Sequence, residues 1–407
     1  MPLALQIPAW LLALAWLLKL LEAFRGLPTI PNLLTSAHDL TPAGSPQLTV
    51  IVPARNEAPG VAACLRSLLA QDYPNLHILA VDDRSTDPTG LILDALARSH
   101  PTRLTALHVA ELPAGWLGKT HAMALAARYA IAEAEAPPAY LLFTDADVVF
   151  SPEILRRALA HAEATHADHL VTLPTTLAKT AGEAMLLSFM QAMGLCSFRY
   201  WRVADPRARE SLGVGAFNLL RTSAYLRVGG FDAIPLEILE DMTLGRRVKA
   251  AGLLQRIATA PGAVALHWAA DISGILNGLT KNIFAAFRFR VAPLLAAAAG
   301  LALLCLAPFF FLIHPATRIP ALLTLAAVAG LYLLSSRTSR LSPLYAALFP
   351  IAAALVLYAM LRSMLITLRD GGVTWRGTFY PLAALRNHAN PDPPRFAVNP
   401  PNPQKPP

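Results

Sequence analysis

With 407 residues, 55% of them hydrophobic, and a mean hydropathy of +0.45, the chain is too apolar for an ordinary water-soluble protein, and its length allows two or three domains. The net charge of +8 does not indicate nucleic-acid binding, because no basic helix with interleaved aromatics and no recognised module is present. Basic residues crowd instead beside apolar segments (Arg199, Arg202, Arg207, Arg209; Lys281, Arg288, Arg290), as suits anionic lipid headgroups; Cys64, Cys196 and Cys305 form no metal or disulfide spacing and fit a reducing compartment.

Residues 7–24 are an apolar run of membrane length, broken only by Lys19 and Glu22 near its end. The run lacks the positive leader and cleavage site of a removable signal. Lys19 and Arg25 on its C-terminal side predict an N-terminus outside and the next domain in the cytoplasm. Residues 1–25 are therefore expected to form an anchor. Residues 26–47, with Pro28, Pro31, Pro42, Gly44 and Pro46, read as a linker.

A strand over 47–53 ends at Pro53-Ala-Arg-Asn-Glu57. A helix over 60–71 follows, then a strand over 77–81 running into Asp82-Asp-Arg-Ser-Thr-Asp87, a helix over 88–98 and a strand over 103–109. This alternation predicts a mostly parallel sheet with helices on both faces. Ligands of such sheets sit beyond the carboxyl ends of the strands, where Asn56, Glu57, Asp82 and Asp83 fall. Residues 111–120 form a glycine-containing loop that opens a helix over 120–135; the spacing is too short for a P-loop. Lys119 there reads either as a phosphate contact or as part of a plain capped turn.

The stretch Leu141-Leu-Phe-Thr-Asp-Ala-Asp-Val-Val-Phe150 carries a buried-strand pattern and delivers Asp145 and Asp147 two residues apart. Two such carboxylates repel each other and lose solvation. A hard divalent cation shared with phosphate oxygens removes both problems, although a strand end or helix cap is the plainer reading. A helix over 151–166 and a strand over 168–173 follow. Residues 182–203 read as a Met- and aromatic-rich amphipathic helix, either core or membrane-facing. Next come a strand over 213–221, a turn at Gly229-Gly-Phe-Asp232, and a helix opened by Glu240 and Asp241, acids that a first helical turn also attracts for capping.

Residues 48–268 are thus expected to form one globular domain, with an interfacial helix over 269–290. Membrane helices are expected at 291–313, 319–334 and 344–361 or slightly beyond, within 291–366. The middle run is short, either re-entrant or a span with local thinning; Arg337 and Arg340 after it favour a true span. Residues 367–390 form a basic, aromatic juxtamembrane segment, and the proline-rich 391–407 is expected to be disordered. The sum is four spans with the C-terminus outside, although the basic Arg362–Arg386 segment suits the cytoplasmic surface.

Seven blocks in this order make the chain resemble membrane-bound family-2 glycosyltransferases with a GT-A (Rossmann-like α/β) domain, over residues 48–290. They are Pro53-Ala-Arg-Asn-Glu57, Val81-Asp-Asp-Arg-Ser-Thr-Asp87, Gly115-Trp-Leu-Gly-Lys119, Thr144-Asp-Ala-Asp147, Gly215-Ala-Phe-Asn218, Gly229-Gly-Phe-Asp232 and Glu240-Asp241. The resemblance implies that Pro53, Asn56, Glu57, Asp82 and Asp83 hold the nucleoside of a UDP-sugar and that Lys119 lies near the nucleotide. It implies that Asp145 and Asp147 hold the sugar diphosphate and a Mg2+ or Mn2+ ion, with Asp241 as general base. Gly215, Asn218, Glu240, His267 and Trp268 are implied on the acceptor side.

The Gly-Trp-x-Gly-Lys block and Trp375-Arg-Gly-Thr-Phe-Tyr380 are most similar to lipid-modifying subgroups: ceramide glucosyltransferase-like, hopanoid-associated and carotenoid glycosyltransferases. Processive synthases of the family carry Gln-x-x-Arg-Trp, whereas this chain has Ala263-Val-Ala-Leu-His267-Trp268, which favours a single transfer over polymer synthesis. The expected function is metal-dependent, inverting transfer to a membrane lipid at the cytoplasmic face of the cell (inner) membrane. A processive synthase, a polyprenyl-phosphate sugar transferase and an inactive scaffold are the rival readings.

Overall fold

The computed structural model describes residues 2–132, 136–269 and 271–388; the proline-rich 391–407, expected to be disordered, lies outside them. In chain order the strands are β1 (Leu48–Ala54), β2 (Leu76–Asp83), β3 (Leu104–Val109), β4 (Tyr140–Phe143), β5 (Val148–Phe150), β6 (His169–Leu173), β7 (Thr175–Thr176), β8 (Asn218–Arg221), β9 (Gln255–Thr259), β10 (Val264–Leu266), β11 (Gly372–Trp375) and β12 (Thr378–Pro381). The main sheet has the order β3-β2-β1-β4-β8-β6-β9, a small sheet the order β5-β10-β7, and β11-β12 is a hairpin.

β1 is buried along its whole length, and its alternate residues feed two different cores. Val50 and Val52 pack with Cys64, Leu65 and Leu68 of the Val61–Leu69 helix and with Ile154 and Leu155. Ile51 packs with Ala122, Met123 and Ala126 of the Gly118–Ala132 helix and with Leu244 and Val248. Both faces of a parallel sheet covered by helices require this unbroken apolar run. β1 runs parallel to both β2 and β4. The chain leaves β1 toward β2 and β3 on one side and returns to β4 on the other, so a crevice opens between the C-terminal ends of β1 and β4.

The β1–β4 ladder stops at Ile51 and Phe143 while β1 continues against β2 to Ala54. Pro53 therefore sits where no partner needs its missing N–H. The stretch 141–150 is not one strand: β4 ends at Phe143 and β5 joins the other sheet, antiparallel to β10. Residues 144–147 are the connector, anchored at both ends. Similarly, only 218–221 of the expected 213–221 strand is extended in the sheet. Residues 212–215 lie instead on the Glu240–Ala250 helix, where a Cβ at Gly213 would overlap the Asp241 carbonyl.

Four helical segments among the described residues are long and apolar enough to cross a bilayer: Ala4–Thr29, Val291–Phe311, Pro315–Ser339 and Pro343–Asp370. The run expected to be short is a 22-residue helix, Arg318–Ser339, about 33 Å long against a hydrocarbon core of about 30 Å. Its polar end continues helical because Ser335 and Ser339 are buried in the bundle. The Ile272–Ala286 helix packs Ile275 and Leu279 into the same bundle. The chain beyond the last helix is expected across a membrane from the 48–268 domain; its β11–β12 hairpin instead rests on the end of β1. Arg376, in the β11–β12 turn, donates to the Arg55 carbonyl and pairs with Glu57.

A glycine inside a helix is normally improved by alanine, by about 1 kcal/mol. A Cβ on Gly245 would instead run into the Leu212 carbonyl and the Gly213 nitrogen. Gly245→Ala is therefore expected to lower stability by about 1–3 kcal/mol through overpacking, read as a lower Tm in detergent. An unchanged or raised Tm would mean that 212–215 is not pressed onto this helix.

Candidate active site

The β1–β4 crevice holds a cavity of ≈ 350 Å³ lined by the β1 end (Pro53, Ala54, Arg55, Glu57), by Asp83, Gly118 and Lys119, and by Asp145, Ala146 and Asp147. Leu266, paired with Val148 on the β5–β10 ladder, extends this lining, and Trp268, Gly278, Lys281 and, from the C-terminal hairpin, Trp375, Arg376 and Tyr380 complete it. A larger groove of ≈ 1070 Å³, lined by Trp16, Lys19, Glu22, Arg25, Cys196 and Trp201 among others, lies apart from the clustered carboxylates.

Lys119 is the centre of the site. Its Nζ lies 2.6 Å from Asp145 Oδ1 and 2.6 Å from Glu240 Oε1. Burial opposes its charge, yet Asp145, Glu240 and Asp241 outweigh that cost and hold the ammonium well above the ordinary lysine range. Asp241 lies one layer behind the cavity lining: its Oδ2 accepts from Gly215 N at 2.8 Å and its Oδ1 from Met242 N at 2.7 Å. Burial, then the Glu240 charge, push its carboxyl up to about 7. A Cβ on Gly215 would lie 2.8 Å from Asp145 Oδ2 and 3.6 Å from Asp241 Oδ2, so only a glycine lets the two carboxylates approach this closely.

Asp147 is pushed up to about 7 by burial, then by Asp145 and Glu57, and its Oδ1 is buried without a hydrogen-bond partner. An orphaned carboxylate oxygen facing a second carboxylate fits a divalent cation. No cluster of three or more His, Cys, Asp or Glu suited to a metal occurs among the described residues. The protein thus offers two carboxylates, and phosphate oxygens and water would complete the shell, as is usual for Mg2+.

Not every residue singled out from the sequence reaches the cavity. Asp83 does, buried and bound by Arg84 at 2.8 and 3.1 Å, with Arg55 at 3.8 Å; a Cβ on Gly118 would overlap it. Asp82, its neighbour on the strand, points the other way, to Ser85 N at 3.1 Å and His108 at 3.4 Å. Asn56 also stands outside the lining. With φ +54°, its Oδ1 accepts from Thr86 N at 2.8 Å, pinning the two loops together. Asn218 is buried on β8 in a polar network, accepting from His169 Nε2 while His169 Nδ1 accepts from Gln255 at 2.7 Å. It supports the sheet rather than an acceptor. His267 is exposed and bonded to the Leu177 carbonyl at 3.2 Å, whereas Trp268 does line the cavity.

Sequence reasoning passed over Arg55, Lys281 and Arg376 as site residues. Lys281 is the one charge in the Ile272–Ala286 helix, three residues from Gly278 and therefore on the same face. That lone charge was the available signal. Its Nζ stands 3.5 Å from the Trp375 ring centroid, and burial pulls its pKa down to about 8. Arg376 is carried by the block that contributed to the family resemblance, but nothing in the sequence says that the block folds onto β1.

Residues 49–228 match the model of Glycosyl transferase family 2. The chain is 24% identical over 241 residues to 4,4'-diaponeurosporenoate glycosyltransferase of Staphylococcus haemolyticus, covering 58% of this chain and 60% of that protein. It is 26% identical over 202 residues to the Staphylococcus aureus (strain MRSA252) enzyme of the same name, covering 49% and 50%. The match thus spans between half and three fifths of the length of these relatives. In three dimensions the chain is similar to a mannosyltransferase from Pyrobaculum calidifontis solved with GDP-Man and Mn2+, at TM-score 0.53 and 22% identity, over 89% of this chain and 99% of that one. With a β1–β4 crevice lined by carboxylates, the chain is similar to family-2 glycosyltransferases over residues 49–228 and shares the GT-A-like α/β fold of the mannosyltransferase.

Proposed function

We propose that the protein transfers a single sugar from a nucleoside-diphosphate sugar, with a UDP-sugar as the expected donor, to the hydroxyl of a membrane lipid. The observation that carries this reading is the make-up of the cavity. One wall is a set of carboxylates at the strand ends, and the other includes Gly278 on a helix packed into the apolar bundle. A sugar nucleotide entering from water and an acceptor dissolved in a bilayer would meet there. The diaponeurosporenoate relatives support a lipid-like acceptor, and the mannosyltransferase solved with GDP-Man and Mn2+ supports a nucleotide-sugar and a divalent cation.

Asp145 and Asp147 would hold the cation, which when bound neutralises the departing diphosphate as a Lewis acid and orients it. Arg55, Glu57 and Asp83 face the nucleoside end. Asp241, fixed by the Gly215 N–H, accepts the proton of the acceptor hydroxyl as the oxygen attacks the anomeric carbon from the face opposite the diphosphate, giving inversion. Its raised proton affinity near neutrality suits a general base. Lys119, between Asp145 and Glu240, offsets the repulsion that these two carboxylates and Asp241 exert on one another.

Asp147→Asn is expected to abolish transfer to a lipid extract and to remove the Mn2+-dependent part of UDP binding in calorimetry. Full wild-type activity in a chelator would remove the metal from the reaction. Asp241→Asn should lower turnover by roughly 10²–10⁴-fold with UDP affinity kept. A collapse of donor affinity would assign Asp241 to the nucleotide site, and unchanged turnover would point to a carboxylate acceptor that needs no base. Product size after incubation with labelled sugar nucleotide should correspond to one added sugar.

A further inference from the structure

We infer that Lys281 binds the diphosphate of the donor, forming with Arg376 a cationic wall opposite Asp145 and Asp147; this rests on the glycosyltransferase reading of the cavity. Four cations line the cavity, and three have carboxylate partners. Arg55 stands by Asp83, Lys119 by Asp145 and Glu240, and Arg376 by Glu57. Lys281 makes no ion pair among the described residues; its Nζ stands over the face of Trp375 at 3.5 Å. Cation–π contact offsets only part of the cost of taking an ammonium out of water. A pocket that keeps such a group invites an anion of its own.

The nucleoside end of the cavity is already bounded by Asp83 and Glu57, and the base and ribose bring no charge for Lys281 to meet. The diphosphate does, and it is the group on which negative charge grows as the glycosidic bond breaks. Lys281 and Trp375 come from separate segments, the interfacial helix and the C-terminal hairpin, so stacking one on the other fixes the ammonium before the nucleotide arrives.

The test compares nucleoside di- and monophosphates on the full-length protein in detergent with Mn2+, using UDP against UMP and GDP against GMP. Wild type is expected to prefer the diphosphate. Lys281→Met should weaken diphosphate binding by roughly 10-fold or more and leave the monophosphate unchanged, and Lys281→Arg should restore most of the loss. Equal weakening of both nucleotides, or an unchanged preference, overturns the assignment. If wild type binds none of the four, the glycosyltransferase reading of the cavity fails first.

A different observation, the positions of the helix ends, carries a second inference. We propose that the chain crosses the membrane three times and that residues 341–370 form a re-entrant segment, entering and leaving on the catalytic side. The Val291–Phe311 helix starts beside the catalytic domain, where Leu294 packs with Leu117 and Tyr380. It ends against the start of the next helix, with Arg318 donating to Leu312 O at 3.2 Å. That helix returns, and Arg340 beyond its end donates to Pro261 O at 2.8 Å. Arg376, after the last helix, is again on the catalytic domain.

Both ends of 341–370 therefore lie on one side. Its deepest contacts agree: Phe349 meets Trp16 at 5.9 Å and Tyr332 at 6.3 Å between ring centroids. Those rings lie ten and seven residues inside Gly26 and Ser339, about 10–15 Å, and Trp16 donates to Leu304 O, about 20 Å along the Val291–Phe311 helix, all short of a hydrocarbon core of about 30 Å. From there the Phe349–Asp370 helix runs along the interfacial helix, with Ser363 donating to Thr280 O at 2.5 Å.

The test is labelling of single cysteines with a membrane-impermeant maleimide in spheroplasts and in inverted vesicles. Ser45→Cys reports the catalytic side and His314→Cys the far side. His388→Cys is expected to label with Ser45→Cys and against His314→Cys. Labelling of His388→Cys together with His314→Cys would overturn the re-entrant segment and restore four full crossings.

Discussion

The Lys119 ammonium is the interaction on which the active end of this fold depends. Asp145 arrives from the end of β4 and Glu240 and Asp241 open the helix that packs Leu244 and Val248 against the same strand, so apolar packing brings the carboxylates close and Lys119 joins them. Two unit charges 4 Å apart interact by about 4 kcal/mol at an effective dielectric of 20. Carboxylates confined in a half-dry crevice would push the sheet and the helix apart. One lysine touching two of them reverses the sign. Gly213 and Gly215 then let the intervening segment lie flat on the helix, placing a backbone N–H on Asp241 where a side chain would have stood.

Charge is divided between two walls. Asp145 and Asp147 lie on one, and the second carries an oxygen with no partner. Lys281 and Arg376 lie on the other. A cation and a diphosphate together would satisfy both, because hard oxygen ligands suit a metal and charge-assisted contacts suit phosphate. The two neighbouring acids on β2 have different tasks. Strand alternation sends Asp83 to the cavity and Asp82 to the His108 side, and one position of register would exchange them.

The apolar helices do more than anchor the domain. The Ile272–Ala286 helix buries Ile275 and Leu279 in the bundle and turns Gly278 and Lys281 to the cavity. A single helix therefore joins the apolar helix bundle to the cavity. Exposed Leu295, Leu303, Phe310, Ile319, Leu322 and Ile351 would be untenable in water as a continuous patch and are suited to lipid.

The sequence by itself determined the β-α alternation, the end of the sheet at which the carboxylates gather around a cavity, the Asp145/Asp147 pair and the positions of the long apolar helices. Each is written in local periodicity or in adjacent residues, and local sterics and solvation decide them. Only the tertiary structure decided that 141–150 breaks between two sheets, that Asn218 serves a buried network with His169, and that Asp82 and His267 face away from the cavity. It alone brought Trp375 and Arg376 over a site begun more than three hundred residues earlier. A hydrophobic period reports which side of an element is covered, not what covers it. A basic aromatic segment after an apolar helix has the same composition wherever it packs, and only the tertiary structure shows Arg340 at Pro261 and Arg376 at Arg55.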